Sequence, residues 1–133
     1  MSLKYEQWPS TPISIGNSAF VDVYTATGPR VTFLKAIFQT NSDKMLIRVL
    51  LDGSVILDLD MDELVKDFKV RGGGAGARFC LKPYGSKRWE FLPMIPIEAD
   101  NEIKIQMRAV SGTKKVERGI SVLRTRQLPG GGG

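Results

Sequence analysis

Apolar and polar residues alternate in short runs along most of the chain, and turn-forming residues separate the runs. Alternation of this kind is the pattern of half-buried β-strands. The runs cover residues 19–25, 31–40, 45–51, 55–59, 78–82, 88–92, 103–109 and 116–123. Closely spaced strands of this sort predict an all-β fold, a sandwich or a barrel. We expect an antiparallel, jelly-roll-like β-sandwich with seven to eight strands, one short helix and extended arms at both ends.

The alternation also predicts which side chains share a face of a strand. In residues 31–40 both faces are apolar, which indicates a central strand: Val31, Phe33 and Ile37 fall on one face, and Leu34, Ala36 and Phe38 on the other. In the last run, the residues expected on one face are Val116, Ile120 and Val122.

Two local signals stand out between the runs. Asp52-Gly53 separates two apolar runs, and because both residues tolerate positive φ, the pair predicts a tight β-hairpin. Residues 60–68 are the one helix candidate, since Asp60 can cap the N-terminus and Glu63 follows three residues later. The apolar stripe of this helix would consist of Met61, Leu64, Val65 and Phe68.

Both ends of the chain differ from the alternating middle. Residues 1–18 contain Pro9 and Pro12, which disfavour a helix and favour extended backbone. This segment is nevertheless rich in apolar residues, so we expect an N-terminal arm that packs on its own domain or on a neighbour. The sandwich domain would then span residues 19–126, and residues 127–133 would form a glycine-rich C-terminal tail.

Composition removes most kinds of catalytic chemistry. The chain of 133 residues has no histidine and a single cysteine, so it has no Ser-His-Asp triad, Cys-His pair, histidine metal site or intrachain disulfide. Cys80 lies in an expected strand and is interpreted as a small buried hydrophobe.

Two short motifs also fail as ligand sites. The acidic run 58–63 has Glu63 and Lys69 where a calcium loop needs Gly and Glu. The glycines of residues 72–76 are not followed by the Gly-Lys-Ser/Thr of a phosphate loop. We therefore expect no enzyme activity, no metal and no cofactor.

Charge is distributed unevenly along the chain. Residues 1–67 carry nine acids and six bases, whereas residues 68–133 carry five acids and thirteen bases, which gives the net charge of +5. A basic half can face nucleic acid or an acidic protein surface, and halves of opposite charge can also pair between copies of the chain.

Basic residues interleaved with aromatic ones leave nucleic acid as an alternative partner. Tyr84, Trp89 and Phe91 lie among the arginines and lysines of the second half, and such residues could stack single-stranded bases on a β-barrel. In strand alternation, however, Trp89 and Phe91 share one face and Arg88 lies on the other. Stacking and charge would then fall on opposite faces, so nucleic acid is not the expected partner.

No apolar run suggests a signal peptide or a membrane span, so we expect a soluble protein made in a cytoplasm.

The stretch IRVLLDGSVILD at residues 47–58 resembles segments common in virion proteins of tailed bacteriophages. The general layout, a small sandwich with a proline-bearing arm and an extended tail, resembles capsid decoration (cement) proteins. This resemblance implies a structural role in the virion, with binding to a phage head lattice.

The first hypothesis is therefore a non-enzymatic decoration protein that binds the major capsid protein or another virion protein. The arm would supply apolar anchors and the basic half would supply charge, so the residues expected to contact the partner are Tyr5, Trp8, Ile13, Arg118, Arg124 and Arg126. We expect a homo-oligomer, for which a trimer is one closed arrangement. The alternatives are a single-strand nucleic-acid-binding barrel, a tail or adaptor protein, and a carbohydrate-binding sandwich that would use Asp100 and Asn101.

Overall fold

Two antiparallel β-sheets packed against each other form the protein in a computed structural model that describes residues 2–65, 79–85 and 87–125. The all-β sandwich predicted from the sequence is confirmed. The described residues contain eleven strands rather than seven or eight: β1 Ser2–Trp8, β2 Ile13–Ile15, β3 Val21–Thr27, β4 Val31–Thr40, β5 Met45–Leu51, β6 Ser54–Asp60, β7 Phe79–Pro83, β8 Arg88–Pro93, β9 Ile97–Ala99, β10 Glu102–Ala109 and β11 Lys114–Thr125.

The larger sheet has seven strands, of which five follow the order β1-β11-β4-β8-β7. The two short strands complete it, because β2 pairs with β11 and β9 pairs with β4. The smaller sheet has the order β3-β10-β5-β6. The first and last of the described strands, β1 and β11, are therefore neighbours in one sheet.

The N-terminal segment belongs to the sandwich rather than to a separate arm. β1 pairs with β11 from Ser2 opposite Thr125 to Trp8 opposite Gly119, and β2 pairs with the beginning of β11. Pro9 and Pro12 lie in the bend between β1 and β2, and proline is tolerated at the edge of a sheet. The expected domain boundary at residue 19 therefore does not hold.

Two aromatic clusters fill the space between the sheets. Phe79 and Phe91 stack at 4.9 Å between ring centroids, with Phe33 tilted against both rings. Trp8 stacks on Tyr24 of the smaller sheet at 5.5 Å and lies 5.8 Å from Phe38. The second cluster joins the N-terminal strand to both sheets.

β-Bulges change two of the predicted faces. The pairing of β11 with β4 shifts between Val116 and Arg118 and again between Val122 and Leu123. A bulge adds one residue to a strand and so reverses the alternation beyond it. As a result Val116 is buried while Ile120 and Val122 point outwards, and Phe33 faces inwards with Ala36 and Phe38 while Ile37 does not.

The predicted hairpin at Asp52-Gly53 is present, with φ of 49° and 86° at its two residues. The helix is present at residues 61–65, and the backbone N–H of Asp62 donates to Oδ1 of Asp60 at 2.7 Å.

Phe68, the glycines of residues 72–76, Arg126 and the tail 127–133 lie outside the described residues. No helix among the described residues is long and apolar enough to cross a membrane.

Candidate interaction face

The structure places the expected partner-binding residues in two different environments. Trp8 is 5% exposed, and its Nε1 donates to Oγ of Ser121 at 2.7 Å inside the sandwich. Ile13 is half-buried and packs against the core. Neither side chain is displayed to a partner in the way that an arm would display it. Arg126 lies outside the described residues.

Tyr5, Arg118 and Arg124 come together on one surface. We call this surface the outer face: it is the side of the larger sheet that points away from the smaller sheet. Trp8 points inwards at the end of β1, so the alternation directs Tyr5 outwards, and this side chain is 62% exposed. Gly119 and Leu123 face inwards on β11, which directs their neighbours Arg118 and Arg124 outwards.

Apolar side chains cross the middle of the outer face. Ile120 lies beside Ile37 in the register of β11 and β4, and Val122 lies between Tyr5 and Lys35. Ile37, Ile120 and Val122 are half-buried. An apolar centre surrounded by polar residues is the usual composition of a protein interface.

The charges around this centre are mostly cationic. Glu90 forms an ion pair with Lys35, with Nζ and Oε2 3.1 Å apart. Within the described ranges, the guanidinium groups of Arg88, Arg118 and Arg124 form no ion pair. The outer face therefore presents positive charge that no carboxylate among the described residues neutralises.

The exposed face of the smaller sheet is different, because two of its cations form ion pairs with carboxylates of the same face. Arg48 bridges Asp58 at 3.2 Å, and Lys104 bridges Asp22 at 3.3 Å. Hydrogen bonds from Gln106 and then Lys104 lower the pKa of Asp22, although partial burial opposes this.

The aromatic side chain beside these pairs is covered by charge, whereas Leu46, Leu50 and Val55 are further apolar side chains on the same face. The guanidinium carbon of Arg48 lies 3.7 Å from the centroid of the Phe20 ring, and that of Arg108 lies 5.3 Å from it. Two cations of this face therefore have carboxylate partners, while the guanidinium of Arg108 donates to the backbone carbonyl of Asn17 at 2.9 Å. The contrast between the two sheets points to the outer face as the candidate site.

A groove of about 770 Å³ opens on the outer face beside the end of β1. β1 ends opposite Gly119 and β2 begins opposite Val116, so neither β1 nor β2 pairs with Glu117 or Arg118. The chain leaves the sheet between the two strands, and Pro9, Ser10 and Pro12 line one wall. The β11 bulge at Glu117 lies at the same place. A gap in the edge strand opposite a bulge therefore creates the groove.

The aromatic residues considered for nucleic-acid stacking are not arranged for it. Trp89 is 6% exposed, and its Nε1 donates to Oγ1 of Thr40 at 3.1 Å inside the sandwich. Tyr84 is exposed, but its hydroxyl donates to Oε1 of Glu90 at 3.1 Å. The predicted separation of Trp89 from Arg88 is confirmed, since Arg88 is exposed while Trp89 is buried.

Other chemistry-bearing groups are occupied by structural contacts. Burial raises the pKa of the Cys80 thiol, which disfavours the reactive thiolate. The backbone N–H groups of Asp100 and Asn101 donate to the carboxylate of Asp52, so the turn considered for carbohydrate is held by the neighbouring hairpin. Among the described residues, no group of three or more Cys, Asp or Glu side chains could hold a metal ion.

Comparison with known proteins adds no relative: no protein-family model matches the sequence, and no curated protein matches it.

The residues that complete this face were only partly visible in the sequence. Both faces of residues 31–40 are apolar, which indicates a central strand and is also a usable signal that Ile37 belongs to an apolar patch. Ile120 and Val122 were assigned to the same face as the buried Val116, because no sequence pattern marks the bulge between them.

Proposed function

We propose that this protein is a non-enzymatic structural protein that binds other proteins through the outer face of its larger sheet. The observation that carries the proposal is the difference between the two exposed sheet faces. On the smaller sheet two cations form ion pairs with carboxylates of the same face. On the outer face an apolar centre lies among Arg88, Arg118 and Arg124, which form no ion pair with any described residue.

The chemistry of the face indicates what its partner must look like. Burying Ile37, Ile120 and Val122 requires a flat apolar surface on the partner. Because Arg88, Arg118 and Arg124 would be brought close to that surface, it must carry carboxylates nearby. Tyr5 at the edge supplies a rigid aromatic group with a polar tip, a residue type enriched at interface hot spots.

We propose that this protein is a virion structural protein and, more specifically, a capsid decoration protein that binds a phage head. The resemblance of residues 47–58 and the small sandwich fold support this assignment, although the N-terminal segment pairs with β11 instead of forming the arm of that layout. In this role the sandwich is a rigid body whose outer face lies on the major capsid protein or on another virion protein. A tail or adaptor protein would use the same face on a different lattice, and a homo-oligomer would present several copies of it.

The proposal is tested by sedimenting extracts of the cells that make the protein and following the protein with an antibody. The parent protein should sediment with large particles. Tyr5→Glu should shift a large share of it to the soluble fraction, because the new carboxylate meets an acidic partner. Val55→Glu is the matched control, since Val55 is also an exposed strand residue, 52% exposed, but lies in the smaller sheet.

Two results would contradict the proposal. A parent protein found only in the soluble fraction would contradict binding to a protein lattice. Equal release by Tyr5→Glu and Val55→Glu would show that the outer face is not the surface that binds the particles.

A further inference from the structure

We infer that the groove beside the end of β1 is a binding site for an extended acidic segment of the partner protein. The inference rests on the proposed function and deepens it, because it names a specific site on the outer face and the chemistry of its ligand. The site is built around Arg88 and Arg118, which both line the groove.

The strand register fixes the distance between the two cations. Arg118 lies opposite Gln39, and Gln39 lies opposite Arg88, so the three residues form one row across β11, β4 and β8. Adjacent strands are about 4.8 Å apart, which separates the two arginine backbones by about 10 Å. Two long side chains at that spacing can close on one carboxylate or hold two successive ones, each through paired N–H donors.

The rest of the lining suits a peptide in extended conformation. Ile37 and Ile120 provide an apolar floor for alternate side chains, and Gln7 and Gln39 can exchange hydrogen bonds with a peptide backbone. On the open side of β11, neither β1 nor β2 pairs with Glu117 or Arg118. A bound segment can therefore align beside β11 in the gap between β1 and β2, as in recognition by strand addition.

The same lining argues against nucleic acid as the ligand. The aromatic residues that border the groove are Trp8 and Phe38, and both are buried with at most 5% of their surface exposed. Single-stranded nucleic acid gains much of its affinity from bases stacked on exposed rings. The groove offers two guanidinium groups, the single carboxylate of Glu117 and aliphatic contacts but no exposed ring, so carboxylates held by the two arginines fit it better than nucleotides.

The test uses fluorescence anisotropy with short labelled probes. The acidic probe is a peptide in which Glu alternates with Ser, the control probe replaces each Glu with Gln, and the third probe is oligothymidylate of similar length. The acidic peptide should bind and the Gln peptide should not. Arg88→Gln and Arg118→Gln should each weaken binding by about tenfold or more, since each removes charge-assisted hydrogen bonds.

Arg124→Gln is the matched control, because Arg124 lies on the outer face but does not line the groove. It should change affinity by less than about threefold, through screened long-range attraction alone. In spectra of the ¹⁵N-labelled parent, the acidic peptide should shift the amide signals of Gln7, Gln39 and Arg118 and leave those of β6 unchanged.

Three results would overturn the inference. These are failure of the acidic peptide to bind, equal weakening by Arg124→Gln, and tighter binding of oligothymidylate that depends on Arg88 and Arg118. The sedimentation experiment separates this inference from the proposed function. If the Arg88→Gln and Arg118→Gln variants sediment with particles as the parent does, the groove is not the binding site, but the proposal that the outer face docks on a lattice is unaffected. If the parent does not sediment with particles but the peptide binds as expected, the groove is a peptide-binding site and the proposed lattice role is wrong.

Discussion

The indole ring of Trp8 lies directly over Gly119. A Cβ atom at Gly119 would be 2.9 Å from Cε2 and Cζ2 of that ring and 3.0 Å from Cβ of Phe38. The closeness of this contact explains why a strand position opposite a buried tryptophan is a glycine: a larger residue would push β1 away from the core.

We predict that Gly119→Ala lowers the free energy of unfolding by about 1–3 kcal/mol, the usual effect of overpacking a filled core. Urea denaturation followed by tryptophan fluorescence measures this change. Gly16→Ala is the control, because no heavy atom lies within 4 Å of its added Cβ, and it should be close to neutral. Equal stability of both variants would contradict the packing described for Trp8.

The position of Trp8 also predicts the effect of removing the N-terminal segment. Trp8→Ala should destabilise the protein by about 3–5 kcal/mol, a large part of the stability of a typical domain. Deletion of residues 1–18 should therefore unfold the sandwich rather than merely release an arm. Circular dichroism of the two variants across a temperature ramp measures both effects, and a cooperatively folded deletion variant would show that β1 and β2 are dispensable.

Several parts of this fold follow directly from the sequence. The bounds of β4 and β5 are those predicted, because alternation is strong there and turn residues stand at both ends. β1, β2 and β9 were not predicted as strands. Prolines stand next to all three, and edge positions tolerate a proline that the interior of a sheet would not.

The interaction face could not be predicted in full, for a related reason. Pairing of β1 with β11 joins residues more than a hundred positions apart, as in the hydrogen bond from Trp8 to Ser121. Local patterns do not encode such registers. No sequence pattern marks the bulges either, and the bulges determine that Ile120 and Val122 point outwards. Tyr5, Arg118 and Arg124 were each proposed from the sequence, but their shared face is a property of the register.

Asp52 should make stability depend on pH. Its carboxylate accepts backbone hydrogen bonds from Glu102, Asp100 and Asn101, and these lower its pKa below the ordinary value of 3.8. A depressed pKa means that the stabilisation is complete above the ordinary value and is lost as pH falls through the lower folded value.

Asp52→Asn is the variant that isolates this effect. Asparagine tolerates the positive φ of the turn and keeps one acceptor oxygen, but it does not titrate. The difference in unfolding free energy between parent and variant should be constant near neutral pH and shrink below about pH 4. Urea titrations at a series of pH values measure it. A difference that did not change with pH would show that the Asp52 contacts do not depend on its charge.

Cys80 should be chemically inert in the native protein. The side chain is buried, and burial raises the pKa of its thiol, so little thiolate is available at neutral pH. A disulfide-exchange reagent should label the native protein slowly and the urea-unfolded protein at once. Rapid labelling of the native protein would contradict the burial described for β7.

Nucleic-acid binding should be weak and sensitive to salt. The arginines of the outer face can attract phosphates, but Trp89 is buried and cannot stack on bases. Affinity for oligothymidylate should therefore fall steeply as salt is raised. Trp89→Phe keeps a buried ring in place and should bind as the parent does. Tight, salt-resistant binding that is lost in this variant would favour the nucleic-acid alternative.

The central claim is that the outer face of the larger sheet is the docking surface on a protein lattice. An electron cryomicroscopy reconstruction of the native particles that carry the protein tests it most directly. The account predicts that Tyr5, Ile120 and Val122 are buried against the lattice protein, with Arg118 facing a carboxylate. A reconstruction in which the smaller sheet lies on the lattice and Tyr5 faces solvent would contradict it.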